Sequence, residues 1–206
     1  MSTVMNSPHA RDVASLLHPM TSPGKHKQDG PLILDKGQGV YVWDLEGNEY
    51  LEGMAGLWCT SLGFNNERLI DAAVAQMRKL PTYHTFFHRS NMPAIDLAEK
   101  MLSIAPVPMS KVWFANSGSE ANDHMVKFVW FYNNGRGKPE KKKIIARHEG
   151  YHGIAVSSAS LTGLPLMHKG FDLPIPGIVH TGSAHYYRHG LDGESEEDFA
   201  TRRAEE

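Results

Sequence analysis

Apolar residues recur every three or four positions in several segments of the chain, and this period predicts amphipathic helices. These segments are residues 69–80, 95–102 and 121–132. A short helix is also predicted after Ser7 and Pro8, because serine caps helices and proline suits their first turn. Residues 19–31 are rich in Pro, Gly, Lys and His, which predicts a loop. Ser195 is followed by acidic residues and predicts the start of a last helix.

Short apolar runs replace the helical period in two other regions, where they predict strands. Between residues 32 and 51 such runs alternate with turn residues, which predicts a small antiparallel meander. Farther along, the runs Val112–Ala115 and Ile144–Ala146 stand before and after the helix at 121–132. This order predicts a parallel sheet covered by helices, with Ile178–Val179 as a candidate further strand. The predicted fold class is therefore α/β.

Composition narrows the class of protein without indicating its chemistry. The 206 residues include 23 acidic and 21 basic side chains, a net charge of −2, which argues against a basic nucleic-acid-binding protein. No apolar run approaches the ~18 residues of a membrane-spanning helix, and the N-terminus lacks the apolar run of a signal peptide. Cys59 is the single cysteine, which fits a reducing compartment. We therefore expect a cytoplasmic globular protein that binds neither nucleic acid nor a membrane.

The strongest local motif is Asn116–Asn122, which lies where the first predicted strand of this region gives way to a helix. Gly118 stands between Ser117 and Ser119. A glycine at such a turn lets backbone amides approach an anion closely, and the free amides and dipole of a helix N-terminus favour phosphate. The alternative is purely structural, with Ser119 as an ordinary helix cap and Gly118 meeting the geometry of the turn.

A second motif, Tyr151–Gly153, follows the next predicted strand. Ligands of parallel sheets bind at the carboxyl ends of the strands, so this motif and Ser117 should face one cavity. The tyrosine ring offers a flat surface to an aromatic ligand, although it could equally pack beneath its own loop. Together the two motifs indicate a phosphorylated aromatic cofactor.

The same residues also match a zinc-peptidase motif. His148-Glu149-Gly150-Tyr151-His152 has the spacing H-E-x-x-H, which binds zinc when both histidines share one face of a helix. Gly150 and Gly153 oppose a helix, and Ala155 and Ser158 stand where the longer form of the motif has Gly and His. We therefore expect no metal ligands here, and a zinc peptidase is retained only as a further hypothesis.

The motifs taken together resemble those of the class III aminotransferases, the omega-transaminases, which are pyridoxal-phosphate enzymes of fold type I. The matching segments are Gly39–Asp44, Gly47-Asn48, Tyr50-Leu51, Asn116–Asn122 and Tyr151–Gly153. The resemblance implies a truncated fold type I architecture. Residues 1–60 would be the N-terminal helix and meander of the small domain, and residues 61–206 the first part of the large, mostly parallel-sheet domain.

The resemblance also implies roles for individual residues. Those implied in binding pyridoxal 5'-phosphate are Ser117, Gly118, Ser119, Tyr151 and His152. Gly118 and Ser119 would hold the phosphate, and Tyr151 would stack on the pyridine ring. Trp58 would line the substrate pocket. Phe86 resembles the aromatic residue that one subunit contributes to its partner's pocket, which implies a homodimer or a larger assembly with active sites at the interface.

The implied reaction moves an amino group from an amine or amino-acid donor to an oxo-acid acceptor such as pyruvate. The catalytic residues are not assigned, because none of the lysines stands in a matching motif. The Schiff-base lysine and the aspartate that pairs with the pyridinium nitrogen are expected beyond Glu206. We therefore expect an N-terminal portion of a longer enzyme, inactive in transamination alone. The alternative is a non-catalytic cofactor-binding or oligomerisation module of the same fold.

Overall fold

The computed structural model describes residues 6–206. Contacts within the chain divide it into two compact units, one ending at Ile95 and the other running from Asp96 to Glu206. The domain boundary placed after residue 60 stays a prediction. Within the described residues, no helix is both long enough and apolar enough to cross a bilayer.

The first unit begins with two short helices, α1 (Pro8–Ser15) and α2 (Pro23–Asp29). The predicted cap of α1 is confirmed, since the Ser7 hydroxyl accepts a hydrogen bond from the backbone N–H of Ala10 at 3.2 Å. The loop predicted at residues 19–31 is wrong over α2. There Ser22 acts as a second serine cap before a proline, and this local signal outweighs the loop-like composition.

The predicted meander is confirmed as β1 (Leu34–Gln38), β2 (Tyr41–Asp44) and β3 (Glu49–Leu51), with β2 paired antiparallel to both neighbours. Asp44 ends β2 and is 5% exposed. Its carboxylate accepts hydrogen bonds from Asn48, from Tyr50 Oη at 2.8 Å and from the backbone N–H of Glu46 at 3.1 Å. These bonds, chiefly those from Asn48, lower the pKa of Asp44, so an ionised carboxylate organises the β2–β3 turn.

The helical periods at residues 69–80, 95–102 and 121–132 are confirmed by three helices. These helices are α4 (Glu67–Lys79), α5 (Met92–Ile104) and α6 (Gly118–Gly135). A single left-handed turn, α3 (Ala55–Trp58), precedes them and is kinked at Gly56 and Leu57. Asn91 caps α5, since its Oδ1 accepts a hydrogen bond from the backbone N–H of Ala94 at 3.1 Å.

The second unit contains a parallel pair of strands, β4 (Ile144–Arg147) and β5 (Ile178–Thr181), joined through helix α7 (Val156–Leu161). The core between them consists of Val126, Ala146, Leu161 and Ile178. The strand predicted at Val112–Ala115 is wrong for the described residues. This segment has irregular backbone because none of those residues forms a neighbouring strand to it, and Trp113 is 61% exposed.

The chain continues through α8 (Tyr186–His189) to α9 (Glu196–Glu205), the helix predicted after Ser195. An ion pair joins α9 to the preceding loop. Nε and Nη2 of Arg202 donate to the two oxygens of Glu194 at 2.7 and 2.8 Å, and the backbone N–H of Leu191 donates to the same carboxylate at 2.9 Å. Bidentate pairing of this kind is stronger than a single charged contact.

This ion pair predicts a specific dependence of stability on pH. The hydrogen bonds from Arg202 lower the pKa of Glu194 to about 2 from an ordinary value of 4.5. A lowered pKa contributes stability above pH 4.5 that is lost as the pH falls toward 2. We expect Arg202→Gln to make the free energy of unfolding less dependent on pH in this window, measured by urea unfolding at several pH values. The control is Lys25→Gln, which breaks an exposed pair with Asp29; an equal change in both variants would contradict the prediction.

Candidate functional site

The Asn116–Asn122 motif forms the N-terminus of α6. Ser117 is the cap residue, since its hydroxyl accepts from the backbone N–H of Glu120 at 3.1 Å. Glu120 reaches back, and its Oε2 accepts from the backbone and side-chain nitrogens of Asn116 at 2.8 and 3.0 Å. This reciprocal arrangement resembles a capping box. The alternative prediction that Ser119 is the cap is therefore wrong.

Glu120 is held away from the first free amides of the helix. Hydrogen bonds from the backbone and then the side chain of Asn116 lower its pKa, with a smaller contribution from His124, whose Nε2 lies 3.7 Å away. The carboxylate is therefore ionised at neutral pH while its charge is shared with donors on the turn. The turn keeps its shape without using the donors at Gly118 and Ser119.

The backbone N–H groups of Gly118 and Ser119 have no hydrogen-bond acceptor among residues 6–206. They belong to the first turn of a helix of 18 residues, where such groups carry positive partial charge. Apart from its chain neighbours and the backbone of its own helix, a Cβ placed on Gly118 would meet no described atom within 4 Å, so the space above this residue is open. Free donors, a positive helix end and open space are what an oxyanion requires.

The Tyr151–Gly153 loop lies directly beside this helix end. The backbone N–H of Ile154 donates to Ser119 Oγ at 3.0 Å. Gly153 is buried, with a φ of +125°, and a Cβ there would lie 2.5 Å from Ser119 Oγ. The structure therefore brings the two predicted motifs into contact, although they are more than 30 residues apart in the chain.

Two polar side chains hold the loop in place. The backbone N–H of His152 donates to Oγ1 of Thr162 at 2.9 Å, and its carbonyl accepts from Nδ2 of Asn122 at 2.7 Å. Thr162 is fully buried at the end of α7. The loop backbone is fixed on both sides, while the ring of Tyr151 is 54% exposed and available to a ligand. His152 itself is half-buried, and its predicted cofactor role stays a prediction.

No sequence motif marks Asn122, Asp123 or Thr162 as positioning residues, although these side chains hold this loop and α7 in place. Oδ1 of Asp123 accepts from Ser157 Oγ at 2.5 Å and from the backbone N–H of Ser158 at 2.9 Å. The available signal was the run of small polar residues at 157–163, because such a run is unusual in a buried helix.

The zinc-peptidase hypothesis fails on local geometry. His148 and Glu149 form a turn after β4, and Glu149 has a φ of +67°. The two histidines of the motif therefore do not share a helical face, as H-E-x-x-H requires. The ring of His148 stacks on His180 with centroids 5.3 Å apart, and the Glu149 carboxylate accepts from Ser183 Oγ at 2.7 Å.

The two predicted substrate-pocket residues lie in the first unit, whereas the helix end and the tyrosine loop lie in the second. Trp58 ends the kinked turn α3 and is 74% exposed, and Phe86 lies in the loop before α5 and is 67% exposed. Both rings are accessible to a ligand or a partner. Their roles stay predictions.

Comparison with known proteins gives one consistent result. The model of the family "aminotransferase class-III" matches residues 23–205. A probable gamma-aminobutyrate transaminase 2, mitochondrial, of Oryza sativa subsp. indica is 53% identical over 193 residues, which are 93% of this chain and 39% of that protein. A gamma aminobutyrate transaminase 1, mitochondrial, of Solanum lycopersicum is 50% identical over 190 residues, 92% of this chain and 37% of that protein.

Solved structures agree. The omega transaminase of Pseudomonas jessenii in complex with PMP superposes with a TM-score of 0.95 at 57% identity, over 97% of this chain and 44% of that one. The PMP-bound aminotransferase of Vibrio fluvialis has a TM-score of 0.92 at 42% identity, over the same shares of the two chains. The chain spans about two fifths of the length of the curated relatives it matches. Motifs, fold and relatives agree, and the chain belongs to the class-III aminotransferase family.

Proposed function

We propose that this protein takes part in pyridoxal-phosphate-dependent transamination, in which an amino group moves from an amine or amino-acid donor to an oxo-acid acceptor such as pyruvate. The observation that carries the proposal is the pair of free backbone donors at Gly118 and Ser119, in contact with the loop that carries the exposed ring of Tyr151. PMP, which is bound in two of the similar solved structures, is the aminated form of pyridoxal 5'-phosphate.

The described residues fit the phosphate of this cofactor. The amides of Gly118 and Ser119 supply donors, and the dipole of α6 supplies positive potential. Ser119 Oγ accepts from Ile154, so its own hydrogen is free to donate to an oxyanion. Because Gly118 has no side chain, the phosphate can approach the backbone closely through the open space that a Cβ would otherwise occupy.

Tyr151 would hold the plane of the pyridine ring by stacking, because offset contact between aromatic faces is favourable. Asn122 and Thr162 fix the backbone that carries this ring, so the platform is rigid before a ligand arrives. The chemistry that bound pyridoxal phosphate supplies is electron withdrawal through its protonated pyridine ring. The residues of this chain bind and orient the cofactor, and none of its lysines is assigned to the transfer step.

We also propose that Trp58 and Phe86 determine substrate size. Two similar solved structures are of omega-transaminase variants engineered for asymmetric synthesis of enantiopure bulky amines. One has a tryptophan replaced by glycine, and the other has substitutions of tryptophan, phenylalanine and arginine. Trp58 and Phe86 are the exposed aromatic residues of this chain that we match to those positions. The two rings would limit the bulk of the amine that the substrate pocket accepts.

Assembly as a homodimer is part of the proposal. The loop that carries Phe86 also exposes Phe87, which is 82% accessible. Exposed aromatic pairs of this kind are enriched at the centres of protein interfaces. Sedimentation of the purified protein tests this, and a species with the mass of one chain would contradict it. We also propose a cytoplasmic location, with which a single cysteine is compatible because it fits a reducing compartment.

Cofactor binding can be tested apart from catalysis. We expect the chain to bind pyridoxal 5'-phosphate at least about tenfold more tightly than pyridoxal, because a hydrogen-bonded charged group contributes about 1.5–3 kcal/mol. Ser119→Ala should remove about tenfold of the affinity for the phosphate ester and leave pyridoxal binding unchanged. The measurement is equilibrium dialysis with absorbance detection. Ser103→Ala, which removes a hydroxyl bonded to its own helix, is the control. Equal affinity for the two ligands would contradict the proposal.

The transfer step requires the full-length gene product. Reconstituted with pyridoxal 5'-phosphate, it should show a visible absorbance band that borohydride removes, and it should form alanine from pyruvate in the presence of gamma-aminobutyrate or another terminal amine. Cofactor binding without any amino transfer would instead identify the non-catalytic module of the same fold.

A further inference from the structure

Three side chains converge in the first unit, remote in sequence from both predicted cofactor motifs. They are Asp12 on α1, His18 in the link that follows, and His26 on α2. Nε2 of His18 and Nε2 of His26 each lie 2.9 Å from the same oxygen of Asp12, Oδ1. One potential ligand atom from each residue lies within 4.8 Å of the other two.

The cluster is partly shielded from solvent and open on one side. The side chains of His26 and Asp12 are 12% and 17% exposed, and that of His18 is 29% exposed. A cavity of about 260 Å³ adjoins them, lined in part by His18, His26 and Thr21. A bound ion would therefore be held by protein on one side and reached by water on the other.

The chemistry of the three groups is that of a transition-metal site. Two imidazole nitrogens and one carboxylate oxygen are common ligands of Zn²⁺, which binds each at ~2.0–2.2 Å in a tetrahedron. Ligands at that distance are separated by about 3.4 Å, so the 2.9 Å nitrogen–oxygen contacts need to open by only about half an ångström. We propose that Asp12, His18 and His26 form a binding site for a divalent transition-metal ion such as Zn²⁺, with the fourth position open to water.

The electrostatics of the carboxylate favour a cation here. Asp12 supplies a carboxylate whose side chain is only 17% exposed, with the two imidazole rings as its neighbours. The two histidine rings lie with centroids 4.2 Å apart. A metal ion at this position would be shared by the two rings and the carboxylate.

Binding at this site would join α1 to α2 through the link that contains His18. The spacing Asp-x5-His-x7-His corresponds to no familiar ligand motif, so the sequence pattern alone does not indicate this site. The site involves none of the residues assigned to the cofactor, so the inference is independent of the proposed function.

Cobalt gives a direct test, because Co²⁺ bound by nitrogen and oxygen in a tetrahedral site absorbs visible light strongly and octahedral aqueous Co²⁺ does so weakly. Chelator-treated chain titrated with Co²⁺ should gain these bands, and one equivalent of Zn²⁺ should abolish them. His18→Asn, His26→Asn and Asp12→Asn should each weaken Zn²⁺ binding about a hundredfold, measured by competition with a chromogenic chelator. Circular dichroism of the metal-free proteins checks that each variant folds, and His18→Asn, in the link between helices, perturbs the helices least.

The matched control is His9→Asn, since His9 also lies on α1 but outside the cluster. It should bind Co²⁺ and Zn²⁺ as the unaltered chain does. The chain has 12 histidines, so the difference between His9→Asn and His18→Asn assigns the site. Absence of the visible bands, or equal affinity in His18→Asn and His9→Asn, would overturn the proposal and leave the cluster as a hydrogen-bonded clasp without metal.

Discussion

Gly153→Ala is expected to lower the free energy of unfolding by about 3 kcal/mol and to abolish most of the affinity for pyridoxal 5'-phosphate. Gly153 has a φ of +125°, and the added Cβ would lie 2.5 Å from Ser119 Oγ and 2.8 Å from Ser158 Oγ. Backbone strain of this type and overpacking each cost ~1–3 kcal/mol. Relief of the contact moves Ser119, whose amide and hydroxyl are proposed to hold the phosphate.

Gly118→Ala is the matched control, because it adds the same methyl group to the same helix end. Its Cβ would meet no described atom within 4 Å outside its chain neighbours and its own helix backbone, and alanine favours a helix more than glycine does. It should therefore leave the melting temperature unchanged or slightly higher while lowering the affinity for the phosphate, whereas Gly153→Ala should lower the melting temperature by roughly 6–12 °C. Thermal unfolding and equilibrium dialysis measure the two effects. Unchanged stability of Gly153→Ala would show that the loop does not pack on Ser119.

Local sequence patterns were enough to predict most helices and the meander. Each of these elements is specified by neighbouring residues: a period of 3.6 in α4, α5 and α6, serine caps before α1 and α9, and turn residues between β2 and β3. Helix α2 is not predicted by these patterns, since its composition resembles that of a loop and only Ser22 and Pro23 mark its start.

A strand depends on a neighbour as well as on its own residues. Ile144–Arg147 finds a parallel partner in β5 and forms a strand, whereas Val112–Ala115 has a similar apolar pattern and stays irregular among the described residues. The apolar run measures the tendency to be buried in a sheet, and pairing decides whether the sheet forms. The sequence alone does not show whether a neighbouring strand is present to pair with each apolar run.

The candidate site likewise contains residues that the local sequence predicts and residues that it does not. Ser117, Gly118 and Ser119 were predictable because a helix end is a local structure with known chemistry. Thr162 and Asn122 were not, since their importance comes from hydrogen bonds to His152, which is 10 residues from one and 30 from the other. Positioning residues of this kind become visible only when the chain is folded.

Asp123→Ala is expected to have the second large effect, because Asp123 caps a helix to which it does not belong. Ala155 precedes α7 and has no side-chain acceptor, yet the backbone N–H of Ser158 lies in the first turn and is fully buried. Oδ1 of Asp123 supplies the acceptor from α6 at 2.9 Å. Removal leaves a buried donor unsatisfied and an uncapped helix, with a cost of about 2–4 kcal/mol. Urea unfolding, monitored by far-ultraviolet circular dichroism, measures this loss in the free energy of unfolding.

Two further variants separate the cap from the second hydrogen bond of the same carboxylate. Ser157→Ala removes only the hydroxyl that donates to Asp123, at 2.5 Å, and should cost about 1 kcal/mol. Asp123→Asn keeps an oxygen acceptor for Ser158 and should recover much of the loss. The double variant Asp123→Ala/Ser157→Ala should lose less stability than the sum of the losses in the two single variants, since Asp123→Ala already breaks the hydrogen bond to Ser157. Full additivity, or a loss below about 0.5 kcal/mol in Asp123→Ala, would show that α7 is held by its buried packing rather than by a cap from α6.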